Sequence, residues 1–345
     1  MMLQKYAICM IFTTKSEEKF GDVTYFNYIC TPKAALTTDN SVWSAVHPLT
    51  MNKTMNAYRK LWQRLVPLYD NDEAKAIARM VFEIRYGLTL SDLLMERDAD
   101  LPQEELEQLA HRLEQGEPVQ YVLGEAEFCE RRFYVEPGIL IPRPETQWLC
   151  DFVTHSQGYP PHKARILDIG TGSGCIACTI ALNLKDQDVE VTGWDISGKA
   201  LNIAQRNAKR LGAKVTFEQV DVLSISPLLT SPDKGGTTDN GHPSWDLIVS
   251  NPPYVCEHER QQMERNVLDW EPEEALFVPD NDPLLFYRSI AVYARKALTE
   301  NGWLYFEINP LYANELVEML SKMSYHDIEI KNDQFGKQRF IRARQ

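Results

Sequence analysis

Nowhere in the 345 residues is there an apolar run of the roughly 18 residues that a membrane-crossing helix needs. Positive charge is also scarce: 36 Lys and Arg stand against 49 Asp and Glu, for a net charge of −13. That deficit argues against stable nucleic-acid binding, which requires a phosphate-neutralising surface, although it leaves room for a local basic patch. A paired-cysteine framework is missing. Cys9, Cys30, Cys129, Cys150, Cys175, Cys178 and Cys256 are odd in number and irregularly spaced, which fits a reducing, cytoplasmic setting. Cys175 and Cys178 formally make a redox CxxC, but they read better as small apolar residues where a helix packs on a sheet. Residues 1–50 contain no Arg and only one short apolar run, Ala7 to Phe12, so they match neither a secretory signal nor a transit peptide. They read as a dispensable extension ahead of a start near Met51 or Met55. Internal repeats are absent too.

What is present is an ordinary globular composition, 44% hydrophobic and 25% charged, with length enough for two domains. Residues 51–120 carry helical periodicity: Leu61, Trp62 and Leu65 form one stripe, and Ala74, Ile77, Ala78, Val81 and Phe82 another. Gly87 is placed to end the second helix, and Ser91 and Pro102 lie near further helix starts. Residues 121–142, centred on Glu130-Arg131, alternate over short lengths and predict a β-hairpin linker. From residue 143 to 345 the rhythm becomes strand–helix alternation. "RILDIG" (165–170), "EVTGWDI" (190–196), "KVTFEQVD" (214–221), "DLIVS" (246–250) and "GWLYFEI" (302–308) are the strands, with closing strands near Tyr325–Lys331 and Arg339–Arg342. This predicts an α/β fold with a doubly wound, mostly parallel, Rossmann-like sheet. The polar stretch "SPDKGGTTDNGHPS" reads as a flexible surface insertion.

Three strand ends carry candidate ligands. The first runs into Gly170-Thr171-Gly172-Ser173-Gly174 and then a helix, a turn in which the backbone can approach a ligand closely. Its G-x-G-x-G spacing differs from the G-x-G-x-x-G of dinucleotide binders. Asp195 ends the second strand, where an acid can accept from both ribose hydroxyls; Asp221-Val222 follows the third, where an adenine edge could be met. These groups suit S-adenosylmethionine as well as NAD. Each acid could also be only a helix cap.

The fourth strand runs into Asn251-Pro252-Pro253-Tyr254. A residue before proline is pushed to extended geometry and proline fixes its own φ, so two prolines freeze the turn with no ligand present. The Asn251 side-chain oxygen and the Pro252 carbonyl then aim at one point. A planar –NH₂ has two hydrogens and needs such a pair, while Tyr254 can lie flat behind it. An amide nitrogen is a feeble nucleophile because its lone pair is delocalised. Two fixed acceptors draw density onto it and align it with a sulfonium methyl.

With these residues in view, the chain resembles a known family. "GEPVQYVLGEAEF", "LIPRPET", "LDIGTGSG", "SNPPYV", "WEPEEAL" and "DQFGKQRF" together look like the HemK/PrmC type of protein-(glutamine-N5) methyltransferase, from about Thr54 to Gln345. The resemblance implies a seven-stranded class I methyltransferase domain behind a small helical substrate-recognition domain. It implies methylation of the Gly-Gly-Gln glutamine of class 1 peptide-chain release factors by S-adenosylmethionine, with no metal. Carried across, Gly170 to Gly174, Asp195, Asp221, Val222 and Asn251 would contact the cofactor, and Asn251 to Tyr254 the glutamine amide. Two departures stand out: Gln147 where the family has a second acid, and Asn309-Pro310 where a Gln is usual. They leave the roles of Gln147 and Asn309 open, as are those of Arg143 and Glu145. The competing readings are an adenine-N6 or guanine-N2 nucleic-acid methyltransferase using the same four residues, and a non-catalytic Rossmann-like module. Net charge and the lack of a separate target-recognition domain oppose the first. The intact Asn251 and glycine loop oppose the second.

Overall fold

A computed structural model describes residues 56–98, 101–155, 162–225 and 244–345. The extension at residues 1–50 and almost all of the polar insertion before Trp245 fall outside the described residues. The chain divides into two compact units, with the division between Glu114 and Gln115.

The first unit is helical: α1 (Ala57–Leu65), α2 (Asn71–Tyr86), α3 (Leu90–Leu94) and α4 (Gln103–Glu114). The expected stripes face inward, with Leu61, Leu65, Ile77, Ala78, Val81 and Phe82 buried. Asp70 caps α2 by accepting from the Asp72 and Glu73 amides, and Gly87 closes it in the left-handed region at φ 68°. Helix α3 begins beside Ser91, as expected. Thr89 is its cap, in a reciprocal pair with Asp92, and Ser91 lies within the first turn.

The second unit opens with α5 (Val119–Leu123) and a hairpin of β1 (Glu125–Phe128) and β2 (Arg131–Tyr134). The turn is Cys129-Glu130, both at positive φ, as a two-residue hairpin turn of the right twist demands. Then come α6 (Thr146–Thr154), β3 (Arg165–Ile169), α7 (Cys175–Asn183), β4 (Glu190–Asp195), α8 (Gly198–Leu211), β5 (Val215–Gln219) and β6 (Trp245–Ser250). Next follow β7 (Val255–Cys256), α9 (Arg265–Trp270), β8 (Phe277–Val278), α10 (Leu285–Ala297), β9 (Leu298–Glu307), α11 (Ala313–Lys322), β10 (His326–Asn332) and β11 (Gln338–Arg344).

Seven strands form one sheet in the order β5-β4-β3-β6-β9-β11-β10. The five from β5 to β9 are parallel, and β11 runs antiparallel to both neighbours. Alternation sorts the side chains onto two faces. Ile166, Leu247, Val249 and Tyr305 join a core with α6, α7 and α8, while Leu167, Ile248, Leu304 and Phe306 join one with α10 and α11. Burial on both faces is why these strands are nearly continuous apolar runs. Strand order reverses between β3 and β6, so the carboxyl ends of those two strands open a crevice. Among the described residues, no helix is long and apolar enough to cross a membrane.

Candidate active site

The register of the sheet builds the site. Trp194, Ile169, Ser250 and Phe306 are successive partners across β4, β3, β6 and β9. The next residue on each strand is Asp195, Gly170, Asn251 and Glu307, so four polar or flexible positions emerge from one transverse row. The Ser250 hydroxyl donates to the Ile169 carbonyl at 2.6 Å and ties the two strand ends at the crevice.

In the glycine loop, Gly170, Gly172 and Gly174 all have positive φ. A Cβ on Gly170 or Gly172 would meet nothing within 4 Å, so these two backbones border open space, whereas one on Gly174 would meet Ala204 at 3.0 Å. The first two glycines therefore shape a cradle and the third lets two helices approach. The Gly170 and Thr171 amides both donate to the Trp194 carbonyl, at 2.8 and 2.9 Å. Asp195 accepts from the Gly172 amide and from the Ser197 amide, each at 2.8 Å. It thus holds both the loop and Ser197, the residue that caps α8. Buried Asn207, on α8, donates to the Ser173 carbonyl and exchanges two hydrogen bonds with the Tyr134 backbone, joining loop to hairpin.

Beneath the loop lies Asp168, fully buried. Its Oδ2 accepts from the Thr171 hydroxyl at 2.6 Å and the Ala177 amide at 3.2 Å, and its Oδ1 has no partner. Burial pushes its carboxyl up to about 7, and nearby Asp195 adds to the rise. Asp195 is itself raised, by burial. Two neighbouring, poorly solvated carboxylates beside an open glycine cradle fit a cationic ligand, and a sulfonium with an α-ammonium is one.

The Asp168 carboxyl makes a testable demand on stability. Its folded pKa lies above the unfolded value of about 4, so its ionised form is a penalty on folding. That penalty is full above pH about 7 and falls as pH drops. Asp168→Asn keeps both hydrogen bonds and removes the charge, so it is expected to raise the melting temperature at pH about 8. The gain should shrink by about 2 kcal/mol at pH about 5.5. Thermal scans giving a pH-independent gain would exclude a buried, titrating Asp168.

The other predicted cofactor positions behave differently. Asp221 turns both oxygens to its own chain, accepting from the Leu223 amide and the Ser224 hydroxyl, while Val222 is buried in the core against which Tyr254 packs. The CxxC reading as packing holds. Both thiols are free and buried in α7, and burial pushes Cys178 up to about 12 and Cys175 further.

Around Asn251-Pro252-Pro253-Tyr254 the structure adds residues that sequence reasoning passed over. The Asn251 amide nitrogen lies 3.3 Å from the Thr146 hydroxyl, which donates to Glu307 Oε2 at 2.7 Å. The Tyr254 hydroxyl donates to Glu307 Oε1 at 3.0 Å. Burial holds the Tyr254 hydroxyl far above its ordinary range, so it stays a neutral donor. Tyr254→Phe therefore leaves the buried Glu307 carboxyl short of a donor. Asn309, at one departure from the family pattern, donates to the Tyr254 carbonyl at 3.1 Å and to Glu259 at 2.9 Å. Glu271 binds the Ile141 amide at 3.1 Å and pairs with Arg143, pinning "LIPRPET" to "WEPEEAL". In the sequence, the "LIPRPET" and "WEPEEAL" blocks marked the stretches that hold Thr146, Arg143 and Glu271, and neither revealed the partners.

A parallel sheet with this strand order, a cation-compatible glycine cradle at its switch point and a rigid Asn-Pro-Pro-Tyr turn beside it define a class I, S-adenosylmethionine-dependent methyltransferase. Residues 161–307 match the model of a methyltransferase domain, and residues 57–124 that of the PrmC N-terminal domain. A release factor glutamine methyltransferase of Bacteroides thetaiotaomicron is 46% identical over 81% of this chain and 96% of its own length. Namesakes from Flavobacterium psychrophilum and Lactococcus lactis are 38% and 36% identical, over 81% and 79% of this chain and 95% and 94% of theirs. The chain belongs to the release factor glutamine methyltransferase family.

Proposed function

We propose that this enzyme transfers a methyl group from S-adenosylmethionine to the side-chain amide nitrogen of the glutamine in the Gly-Gly-Gln motif of class 1 peptide-chain release factors, in the cytoplasm. The observation that carries this reading is the placement of Asn251, on a turn frozen by two prolines, one strand away from the glycine cradle. Gly170 to Gly174, Asp195 and the Asp221-Val222 edge are the groups available to hold the donor. Bound there, S-adenosylmethionine supplies an electrophilic methyl on sulfur. The chain does the rest. The Asn251 side-chain oxygen and the Pro252 carbonyl accept the two amide hydrogens, which fixes the nitrogen and draws density onto it. The Tyr254 ring lies against the amide plane. No strong base is required, because the nitrogen's proton becomes acidic as the methyl arrives.

The test is transfer of tritium from labelled S-adenosylmethionine to a purified release factor, to its Gln→Ala variant, and to total RNA and DNA. Label on the unmodified release factor alone is the expected result. Label on nucleic acid instead would reject the substrate proposed here. For the cofactor, Asp195→Ala is expected to weaken binding by about 1–3 kcal/mol, the scale of losing buried hydrogen-bond acceptance. Calorimetry returning the wild-type affinity would remove Asp195 from the ribose site.

A further inference from the structure

The acceptor role of Asn251 depends on which way its amide faces, and a side-chain amide can present either an oxygen or an –NH₂ to a given neighbour. Its neighbour here is a hydroxyl with a single proton. Thr146 is 2% exposed and Glu307 1% exposed, so neither can exchange its partner for bulk water. The Thr146 proton is committed to Glu307 Oε2 at 2.7 Å, and the other oxygen of that carboxyl is taken by the Tyr254 hydroxyl as donor. What remains to Thr146 Oγ1 is its lone pairs. The group of Asn251 that can face it at 3.3 Å is therefore the –NH₂, since an oxygen there would set lone pair against lone pair. The Asn251 oxygen is then turned to the other side of the amide.

Glu307 also accepts from the Tyr254 hydroxyl, so one carboxylate holds both the clamp and the ring behind it. Burial raises its carboxyl, which Thr146, Arg339 and Tyr254 oppose and Glu145 reinforces. We propose that Thr146 and Glu307 are positioning residues for methyl transfer: they lock the Asn251 amide so that its oxygen faces the nitrogen to be methylated. This rests on the amide-methylation reading above. The consequence is selectivity for a donor group. A –NH₂ meets an acceptor, whereas a carbonyl at the same point would meet another lone pair.

The experiment compares Thr146→Val, which keeps the shape and loses the hydroxyl, with Thr146→Ser, which restores it. Turnover and KM on a release factor are measured beside calorimetric cofactor titrations and melting curves. Thr146→Val is expected to lower kcat about tenfold to a hundredfold, with cofactor affinity and release-factor KM within about twofold of wild type. Thr146→Ser should recover most of the loss. In an Asn251→Ala background Thr146→Val should cost nothing further, because the group it orients is gone. Wild-type turnover in Thr146→Val, or an undiminished loss in the Asn251→Ala background, would overturn the proposal. Should Thr146→Val melt too low to assay, Thr146→Ala replaces it: the same hydroxyl is removed without a branched side chain to repack, so kcat should fall likewise, and an unchanged kcat overturns the assignment. A readout independent of substrate is the Asn251 –NH₂ proton pair, assigned by its loss in Asn251→Ala. A nuclear Overhauser cross-peak from it to the Thr146 side chain is expected. Its absence overturns the orientation whatever the wild-type chain methylates, while its presence with no methylated release factor rejects only the substrate.

Discussion

Asn251→Ala is expected to lower kcat by roughly 10²–10³ while cofactor affinity changes little, the scale of losing one preorganised polar group. In the proposed role, Asn251 would supply an acceptor whose value is greatest as the amide nitrogen gains positive charge, so the loss should fall on the transition state more than on the bound ground state. Its side chain is held by the Thr146 hydroxyl at 3.3 Å, and its backbone by the two prolines that follow. Little reorganisation is left for the reaction to demand. Asn251→Asp keeps an acceptor oxygen but loses the donor to Thr146 and sets a second carboxylate near Glu307. It should therefore fall between Ala and wild type. Steady-state kinetics on a release factor with parallel cofactor titrations decide the matter. A wild-type kcat in Asn251→Ala would end the amide-clamp account.

The largest expected loss of stability comes from Glu271→Ala. The Glu271 side chain is 1% exposed and makes two contacts, with the Ile141 amide and the Arg143 guanidinium. Removing the carboxylate strands a partly buried cation and a buried backbone donor together. Breaking such a pair from one side costs about 3–5 kcal/mol, and the one-third exposure of the Arg143 side chain puts this case at the lower end. Glu271→Gln retains an acceptor for Ile141 and should lose clearly less. Urea unfolding monitored by tryptophan fluorescence measures both, and equal stability of Ala and wild type would show that the two motif blocks are held together by something else.

The sheet was legible because its central strands are buried on both faces and so read as apolar runs: "RILDIG" and "DLIVS" stand almost where β3 and β6 do. Strands β7 and β8 were not, because two residues each carry no period. β9 starts four residues before "GWLYFEI", where Thr299 to Asn301 look like a turn. The glycine loop and the Asn-Pro-Pro-Tyr turn were legible because backbone conformation itself dictates those residue types. Thr146 and Glu307 were not. Each acts through a partner more than 100 residues distant or on another strand, and local spacing is blind to such pairs. Thr89 caps α3 for a local reason: Asp92 lies three residues after it and completes the reciprocal pair.

The transverse row Trp194–Ile169–Ser250–Phe306 acts as a ruler. Adjacent strands lie about 4.8 Å apart, so the positions that follow this row on β4 and β9 are separated by three spacings, about 14 Å, and those that follow it on β4 and β6 by two. The distance from the Asp195 end of the site to the Asn251 clamp is thus a property of the hydrogen-bonded ladder rather than of any loop. Lengthening a connection cannot alter it. Slipping one strand by a residue would, but it would also send that strand's whole set of side chains to the opposite face of the sheet. A donor molecule of different length has to be met by new side chains at the row, since the gauge between the two ends is not adjustable without unfolding the core.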